Sequence, residues 1–425
     1  MNRKKGISGI LFLTLWMAAW GWVVIPSVWA AETESAPSSP LSLLAGPYVQ
    51  APLDGSATIL WIADRPSHGW VEYGTSEALG KTAFASEDGL KSANEKIQKV
   101  TLPDLKPGET VYYRVVTREI VKFEPYKVTF GATLESPIHH FKMLDPNAEK
   151  ISFLVFNDIH ENLDLFRKLL EKAGPEPYDL VFFDGDILSD LQSEEQLINH
   201  FLKPVSDAFA GDIPFFYIRG NHEVRSSFAR RFKDYLATPS GKFYYTFDCG
   251  PAQIVALDSG EKLEDANPAY SGLVDFDAYR SAQRDWLAGV IQTPAFRKAP
   301  FRITLVHMPL VSLEKELHGL EDARAKWAPL LEKGRNDLLL SGHTHEAEIR
   351  LSSDAPTPEN PKGSKRLPYP IFIGGAPEEG AATVMRVEVD REFVKATLIR
   401  DNRADHQEAL TFRARYHGPG SSLWN

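Results

Sequence analysis

Five short polar clusters in the chain carry side chains that can bind metal ions, and each follows an apolar, strand-like run. The clusters are Asp158-Ile159-His160, Gly185-Asp186, Gly220-Asn221-His222-Glu223, His307 and Gly342-His343-Thr344-His345. Carboxylate, imidazole and amide groups without a thiolate suit Mn, Fe, Zn or Co better than a closed structural zinc site. The sequence therefore indicates a centre for divalent or mixed-valence metal ions, with enough ligands for two.

Each cluster taken alone also has a simpler explanation, which is local turn structure. The sequence Gly-Asn-His makes a good tight turn because glycine and asparagine both tolerate left-handed backbone conformations. An Asp-x-His sequence at the end of a strand is commonly a turn with polar side chains. What favours the metal site is the combination of five such clusters at successive strand ends.

The elements that must position these clusters show a regular alternation. Strands are predicted over residues 151–156, 180–183, 213–218, 301–306 and 337–340. Helical patterns at 163–173 and 194–209 separate the first three strands, and this alternation predicts a parallel sheet. An open α/β sheet gathers its functional side chains at the carboxyl ends of its strands. Later runs at 383–389 and 393–399 favour a second, more antiparallel sheet.

The preceding segment, residues 46–145, has a different pattern. It contains short runs rich in β-branched and aromatic residues, such as Thr58–Ile62 and Thr110–Val116, and a turn sequence, Leu105–Thr110, between runs. Amphipathic helical periodicity is not evident there. A compact all-β sandwich of about 100 residues fits this pattern.

The order and chemistry of the five clusters resemble those of the calcineurin-like metallophosphoesterases, which are dinuclear metal hydrolases acting on phosphate esters. The resemblance implies that residues 150–415 form an α/β catalytic domain, with two mixed β-sheets flanked by helices in an α/β/β/α sandwich. Residues 46–145 resemble the fibronectin-III-like N-terminal domain of purple acid phosphatases, through Gly46-Pro47-Tyr48-Val49-Gln50 and Trp70-Val71-Glu72-Tyr73-Gly74. Another kind of β-sandwich module is the alternative.

The resemblance also assigns residues to roles. One metal ion would be held by Asp158, His160 and His345, the other by Asn221, His307 and His343, and Asp186 would bridge the two. Ions held about 3.5–4 Å apart clamp the attacking and leaving oxygens, and a hydroxide generated there at neutral pH attacks phosphorus. His222 would be the catalytic residue that assists the leaving group. Capping of its turn is the alternative role.

Two departures from the family pattern follow Asp186. Purple acid phosphatases carry an Fe(III)-binding tyrosine three residues after the bridging aspartate, and this chain has Ser189 there, so a purple centre is not expected. Related phosphoprotein phosphatases place at that position an aspartate that orients the catalytic histidine. Here Asp190 follows one residue later, and it could orient His222 or cap a helix.

Other residues were candidates for contacts with the substrate. Arg219 could bind a phosphate oxygen or form a salt bridge. His318 could approach the substrate, and three tyrosines could stack on an aromatic leaving group. These tyrosines are Tyr244, Tyr245 and Tyr270.

The N-terminus has the features of a secretion signal. Arg3, Lys4 and Lys5 precede an apolar stretch from Ile10 to Ile25, and Val28-Trp29-Ala30 offers a cleavage site. We therefore expect residues 1–30 to be a signal peptide, with a secreted or periplasmic protein and no membrane span after cleavage. An uncleaved anchor is the alternative. Residues 31–45 are expected to form a linker rich in Ser, Pro, Thr and Glu.

Composition limits the possible partners. The net charge of the 425-residue chain is −10, and losing the three cations of the signal makes it −13, which argues against general nucleic-acid binding. A lone cysteine, Cys249, cannot form an internal disulfide and is expected to be a small buried hydrophobe. The expected substrate is a small-molecule phosphate ester. Monoesterase activity and phosphodiesterase or nucleotidase activity both stay open, and a non-catalytic metal-binding recognition protein is a further alternative.

Overall fold

A computed structural model of the chain describes residues 39–311, 317–351, 368–402 and 407–413. The predicted signal peptide and most of the predicted linker lie outside these ranges. None of the helices within them is long and apolar enough to cross a membrane.

The first part of the described chain consists of nine strands. They are β1 (Leu43–Leu53), β2 (Ser56–Gly74), β3 (Lys81–Ala83), β4 (Ser86–Glu87), β5 (Leu90–Lys91), β6 (Glu95–Leu102), β7 (Thr110–Glu124), β8 (Lys127–Glu135) and β9 (His139–Lys142). The long strand β2 pairs antiparallel with β1 and β6 through its first half and with β3 and β7 through its second half. Trp61, Val71, Tyr113 and Phe141 lie in the apolar core beneath these strands.

The all-β character predicted for this segment is confirmed. Its fibronectin-III-like identity and its exact boundaries as a domain stay predictions.

The rest of the chain alternates strands with helices. The strands are β10 (Lys150–Phe156), β11 (Leu180–Asp184), β12 (Phe215–Ile218), β13 (Tyr245–Cys249), β14 (Ala252–Leu257), β15 (Phe301–Val306), β16 (Leu338–Ser341), β17 (Glu348–Arg350), β18 (Ile371–Ile373), β19 (Thr383–Asp390), β20 (Phe393–Arg400) and β21 (Gln407–Arg413). The α-helices are α1 (Leu163–Lys172), α2 (Glu194–Leu197), α3 (Lys203–Val205), α4 (Phe276–Val290), α5 (Pro294–Lys298) and α6 (His318–Lys333). Two π-helical turns, Ile198–Leu202 and Ser206–Ala210, adjoin α3, and short 3-10 helices span Ser227–Tyr235 and Pro268–Tyr270.

These strands form two mixed sheets of six strands each. The first has the order β12-β11-β10-β19-β20-β21, in which β10 to β12 are parallel and β19 to β21 are antiparallel. The second has the order β13-β14-β15-β16-β18-β17, with β14, β15, β16 and β18 parallel.

The two sheets pack face to face with helices on their outer sides. Phe153 and Phe182 of the first sheet share one buried core with Ile254 and Leu340 of the second. The helix residues Leu169 and Phe201 pack against the outer side of the first sheet, and Leu287 and Trp327 against that of the second. The predicted α/β/β/α sandwich is therefore confirmed. Cys249 is buried in the central core, as predicted.

The distribution of strands between the sheets differs from the sequence interpretation. The runs at 383–389 and 393–399 do not begin a second sheet; as β19 and β20 they extend the first sheet, because β19 pairs with β10 over seven residues. The strands before His307 and Gly342 belong instead to the second sheet. The polar clusters are thus divided between the two sheets, three on the first and two on the second.

The all-β segment packs directly on the first sheet and its helices. Tyr48 shares the helix-side core, and its hydroxyl donates to the carbonyl oxygen of Tyr235 at 2.9 Å. The hydroxyl of Tyr113 donates to the carbonyl oxygen of Gly211 at 2.6 Å, again from a buried position. The described residues from Leu41 onward accordingly form one compact unit.

Candidate metal centre

The five polar clusters meet where the carboxyl ends of the two sheets come together. Asp158, Asp186 and Asn221 follow β10, β11 and β12, and the two remaining clusters follow β15 and β16. Five of the predicted ligands have left-handed backbone conformations, with φ between 46° and 73°: Asp158, His160, Asp186, His343 and His345. Non-glycine residues adopt this region seldom, and such residues concentrate at functional sites.

The first group of ligands predicted from the sequence is assembled in the structure. The Asp158 Oδ1 atom lies 3.4 Å from His345 Nε2 and 3.9 Å from His160 Nε2, and the two imidazole nitrogens are 3.2 Å apart. The second carboxylate oxygen of Asp158 accepts hydrogen bonds from the main-chain N–H of His343 at 2.8 Å and from the Asn157 amide at 2.9 Å. One oxygen is therefore fixed by the protein, and the other faces the histidines.

The second group is assembled beside it. His307 Nε2 lies 3.0 Å from Asp186 Oδ2, and His343 offers a nitrogen to the same cluster. The other ring nitrogen of His307, Nδ1, donates to the carbonyl oxygen of Asp184 at 2.8 Å. This second contact fixes the tautomer, because a donor at Nδ1 leaves the Nε2 lone pair for a metal ion.

Asp186 lies between the two groups. Its Oδ2 atom is within 4.0 Å of three imidazole nitrogens, those of His307, His222 and His160. Its Oδ1 atom accepts a hydrogen bond from the main-chain N–H of His222 at 2.9 Å. This carboxylate therefore lies near both predicted ligand groups, with His307 as its nearest imidazole; Asp158 Oδ1 also lies 4.0 Å from His307 Nε2.

The remaining predicted ligand, Asn221, supplies the test of whether a metal fits. Its side chain is 1% exposed, and neither its amide oxygen nor its amide nitrogen has a hydrogen-bond partner in the described part of the chain. A buried amide without partners is costly, and coordination of a cation by its oxygen removes part of that cost. The donor set of oxygen and imidazole nitrogen without sulfur matches Mn, Fe, Zn or Co.

The comparisons with known proteins agree with this geometry. Residues 151–347 match the model of the family described as calcineurin-like phosphoesterase. This segment is a calcineurin-like phosphoesterase domain.

A curated relative and two solved structures extend the comparison. The probable glycerophosphodiester phosphodiesterase GpdQ of Arcobacter nitrofigilis is 27% identical over 200 residues, which cover 46% of this chain and 66% of that protein, just under two thirds of its length. Purple acid phosphatase PPD1 from yellow lupin (Lupinus luteus) superposes with a TM-score of 0.63 at 14% identity, covering 86% of this chain and 73% of that one. PhoD superposes with a TM-score of 0.56 at 13% identity, covering 86% and 89%. The two structural likenesses concern the fold alone.

Electrostatics in the phosphoesterase domain divide the four predicted histidine ligands: the pKa is lowered for His160 and His343 and raised for His307 and for His345, the last through its contact with the Asp158 carboxylate. Burial, followed by the charge of neighbouring His307, lowers the pKa of His343 to about 3, and burial also lowers the pKa of His160. Burial alone would lower the pKa of His307 too, but the adjacent carboxylates of Asp186 and Asp158 raise it well above its usual value. Metal ions in the cluster would supply the positive charge that His307 otherwise provides.

Two glycines of the phosphoesterase domain allow the clusters to approach each other. A Cβ at Gly220 would collide with the carboxylate of Asp186, and a Cβ at Gly342 would collide with that of Asp158. Both glycines have φ values outside the left-handed region, so their backbone conformation does not require glycine. Glycine is required because the neighbouring carboxylates lie too close for a Cβ atom.

Glu223 holds the site together in a way that the sequence did not predict. It is fully buried, and its carboxylate accepts hydrogen bonds from the main-chain N–H groups of Asp186, Ile187, Leu188 and Gly220 at 2.8–3.1 Å. The hydroxyl of Tyr217 donates to it as well, at 2.8 Å. Glu223 therefore ties the loop after β11 to the loop after β12. Its position directly after Gly-Asn-His was the only signal in the sequence.

His222, the predicted catalytic residue, lies at the edge of the cluster. Its Nδ1 atom is 2.5 Å from the carbonyl oxygen of Ser189, and its Nε2 atom is 3.8 Å from Asp186 Oδ2. The Nη1 atom of Arg225 lies 3.2 Å from one ring nitrogen and 3.0 Å from the other, which places the guanidinium against the imidazole face. The side chain is 24% exposed, so a substrate can reach it.

The two roles considered for Asp190 are both wrong. Its carboxylate accepts hydrogen bonds from the side chains of Gln192 and Gln196 and does not contact His222. The nearest helix, α2, is capped instead by Ser193, whose hydroxyl accepts from the N–H of Gln196 at 3.1 Å.

The structure also shows which partners Arg219 and His318 have. Arg219 donates twice to Asp258, at 2.6 and 2.8 Å, so the salt bridge is the observed role. His318 pairs with Asp277 at 2.8 Å. Asp277 also pairs with the buried Arg280, so this group of charges is already neutralised within the protein.

The three tyrosines have different surroundings. Tyr245 is buried and donates to the carbonyl oxygen of Tyr217, and Tyr244 packs against Trp286. Neither ring is therefore placed to stack on a substrate. Tyr270 donates to Glu261 at 2.9 Å and lines a cavity next to Arg225.

Proposed function

We propose that this chain is an exported, metal-dependent phosphoesterase that hydrolyses small phosphate esters at a pair of divalent metal ions. The observation that carries the proposal is the position of Asp186, whose Oδ2 atom lies within 4.0 Å of histidines from both ligand groups. The family of residues 151–347 supports the reaction class.

The ligand set follows from the two groups. Asp158, His160 and His345 would hold one ion, Asn221, His307 and His343 the other, and Asp186 both. When bound, a metal pair of this kind supplies a hydroxide nucleophile and neutralises charge on the phosphate oxygens.

The role proposed for His222 is proton donation to the leaving oxygen. Its Nδ1–H is engaged by the carbonyl oxygen of Ser189, so the nitrogen left to serve the leaving oxygen is Nε2, which faces the cluster. General acid assistance of this kind contributes roughly 10²–10⁴-fold to the rate.

The exported location rests on the N-terminal sequence alone. Three cations, an apolar stretch and a small-residue cleavage site are the features of a secretion signal. N-terminal sequencing of the mature protein from a secreting host tests this part, with a new N-terminus at residue 31 expected. Retention of Met1 in the membrane fraction would contradict it.

A second candidate is phosphodiesterase activity. The Arcobacter relative, which matches 46% of this chain, is named a probable glycerophosphodiester phosphodiesterase. A diester needs space on both sides of the phosphorus, whereas a dianionic monoester needs additional positive donors. Hydrolysis of para-nitrophenyl phosphate and of its bis-ester, each measured with Mn, Fe, Zn and Co, distinguishes the two.

A non-catalytic metal-binding protein is the remaining alternative, and the same preparations test it. An enzyme will contain two ions per chain and will release phosphate or nitrophenol in an EDTA-sensitive manner. Two bound ions without hydrolysis of either ester would favour the recognition protein. A chain that binds no ions would overturn both.

A further inference from the structure

A cavity of about 540 Å³ opens beside the metal centre, on the side of His222. Its lining includes Arg225, Lys262, Leu263, Tyr270, Leu273 and Val274. The volume is in the range of small-molecule sites in proteins. The loop between β14 and α4 supplies five of these six residues.

The link between this cavity and the proposed chemistry is Arg225. Its guanidinium contacts the ring of His222, as described above, and its Nε atom donates to Glu261 at 2.5 Å. Glu261 is 2% exposed and also accepts from Tyr270. Arg225 is therefore held in place between the cavity and the imidazole and contacts both.

The cavity has an apolar interior with cationic side chains in its lining, namely Arg225, Lys262 and Arg230, of which Arg230 donates to the carbonyl oxygen of Leu273 at 3.2 Å. Leu263, Leu273 and Val274 contribute apolar surface, and Leu273 is 70% exposed, so its side chain is accessible to a ligand. Lys262 directly follows Glu261, the partner of Arg225, and lines the cavity beside them. Within the described residues its ammonium makes no ion pair.

We propose that this cavity binds the alcohol part of the substrate and that it selects phosphate esters with an apolar alkyl group. The inference rests on the proposed function. A phosphate at the metal pair would have its leaving oxygen next to His222, and the group attached to that oxygen would then extend past Arg225 into the cavity. Lys262 and Arg225 would lie near the phosphate end, and Leu273 and Val274 would cover the alkyl end.

The test compares ethyl phosphate with hexyl phosphate, because their alcohols have similar acidity and differ in apolar surface. Each buried methylene favours binding by up to about fourfold, so we expect kcat/KM to be at least about tenfold higher for the hexyl ester. Leu273→Asp should lower this ratio by about fivefold or more. The control is Leu90→Asp in β5, where a leucine with 76% exposure lies in the all-β segment, and it should leave the ratio unchanged.

A binding measurement separates failure of this inference from failure of the proposed function. Ethylphosphonate and hexylphosphonate cannot be hydrolysed, and calorimetry with the metal-loaded protein reports their affinities directly. Hydrolysis of both esters at equal kcat/KM, with equal phosphonate affinities, would overturn the cavity assignment alone. Tighter hexylphosphonate binding that is lost in Leu273→Asp, in a protein that hydrolyses neither ester, would keep the binding cavity and overturn the hydrolase. Absence of both hydrolysis and phosphonate binding would overturn both.

Discussion

The Nδ1 atom of His222 lies 2.5 Å from the main-chain carbonyl oxygen of Ser189. The imidazole is thus oriented by the backbone of the loop after β11. Because the same loop contains Asp186, the position of the proposed acid is set by the loop that also supplies the proposed bridging ligand.

Replacing His222 by alanine should preserve the metals and remove most of the turnover. The side chain is not among the proposed ligands, so metal content measured by elemental analysis should stay at the wild-type value. The kcat should fall by about 10²–10⁴-fold, the usual contribution of a general acid. His140→Ala, on an exposed side chain of the all-β segment, is the matched control. Kinetics like those of the wild type in His222→Ala would remove the assignment.

Asp190→Ala should leave kcat within about threefold of the wild type. The Asp190 carboxylate contacts glutamine side chains and does not contact His222, so its loss does not free the imidazole. Steady-state kinetics on the same ester as above measure this. A loss comparable to that of His222→Ala would show that the aspartate orients the histidine during turnover.

Asp186→Ala should reduce metal content below two ions per chain and abolish detectable hydrolysis. This carboxylate faces both ligand groups, and its Oδ2 atom lies 3.0 Å from His307 Nε2, whereas Asp158 Oδ1 lies 4.0 Å from the same nitrogen. Elemental analysis of the purified variant gives the stoichiometry. Full retention of two ions would mean that the groups bind independently and that Asp186 is not shared.

Glu223→Gln should destabilise the fold more than Tyr217→Phe, although both are nearly isosteric. The glutamine NH₂ group cannot accept from main-chain N–H groups, so several buried donors lose their partner, at a cost of about 3 kcal/mol or more. Tyr217→Phe removes a single hydrogen bond, worth about 1–2 kcal/mol. Urea unfolding of the two variants compares these costs. Equal loss in both would contradict the proposed role of Glu223.

Removal of metal should lower the melting temperature as well as the activity. Asp158, Asp184 and Asp186 are buried within one cluster, and burial raises the pKa of Asp184 well above its usual value. Bound cations offset the repulsion between these acidic groups. A ligand present at a thousandfold excess over its Kd stabilises the folded protein by about 4 kcal/mol. Calorimetry with and without EDTA measures the change. An unchanged melting temperature would indicate that the cluster does not bind ions tightly.

The positions of the site residues could be predicted because the information was local. Strand periodicity identified where β10, β11 and β12 end, and the polar residues after each strand followed directly in the chain. The structure brings seven of the eight predicted residues into adjoining groups, and the eighth, Asn221, is buried directly before His222 in the chain. Their proposed ligand and catalytic roles await the experiments above.

The pairing of the strands was less accessible to sequence. The runs that became β19 and β20 have an alternating pattern that suits any antiparallel neighbour, and nothing in that pattern names β10 as the partner. Orientation of His222 by a main-chain oxygen was equally hidden, because a backbone carbonyl is present at every residue. Arg219 could bind either a phosphate oxygen or a protein carboxylate, because a guanidinium pairs equally well with both. Only the position of Asp258 in the fold decides between these two partners.

The contact between Tyr48 and Tyr235 has a consequence for how the protein can be divided. Tyr235 ends the 3-10 helix Ser227–Tyr235, and that helix supplies Ser227 and Arg230 to the wall of the cavity beside His222. Cutting the chain after residue 145 would uncover the apolar side of this helix and leave part of the cavity without its backing. The N-terminal strands therefore support the cavity wall. If the remaining residues were fused to another protein, that protein would have to supply an equivalent support.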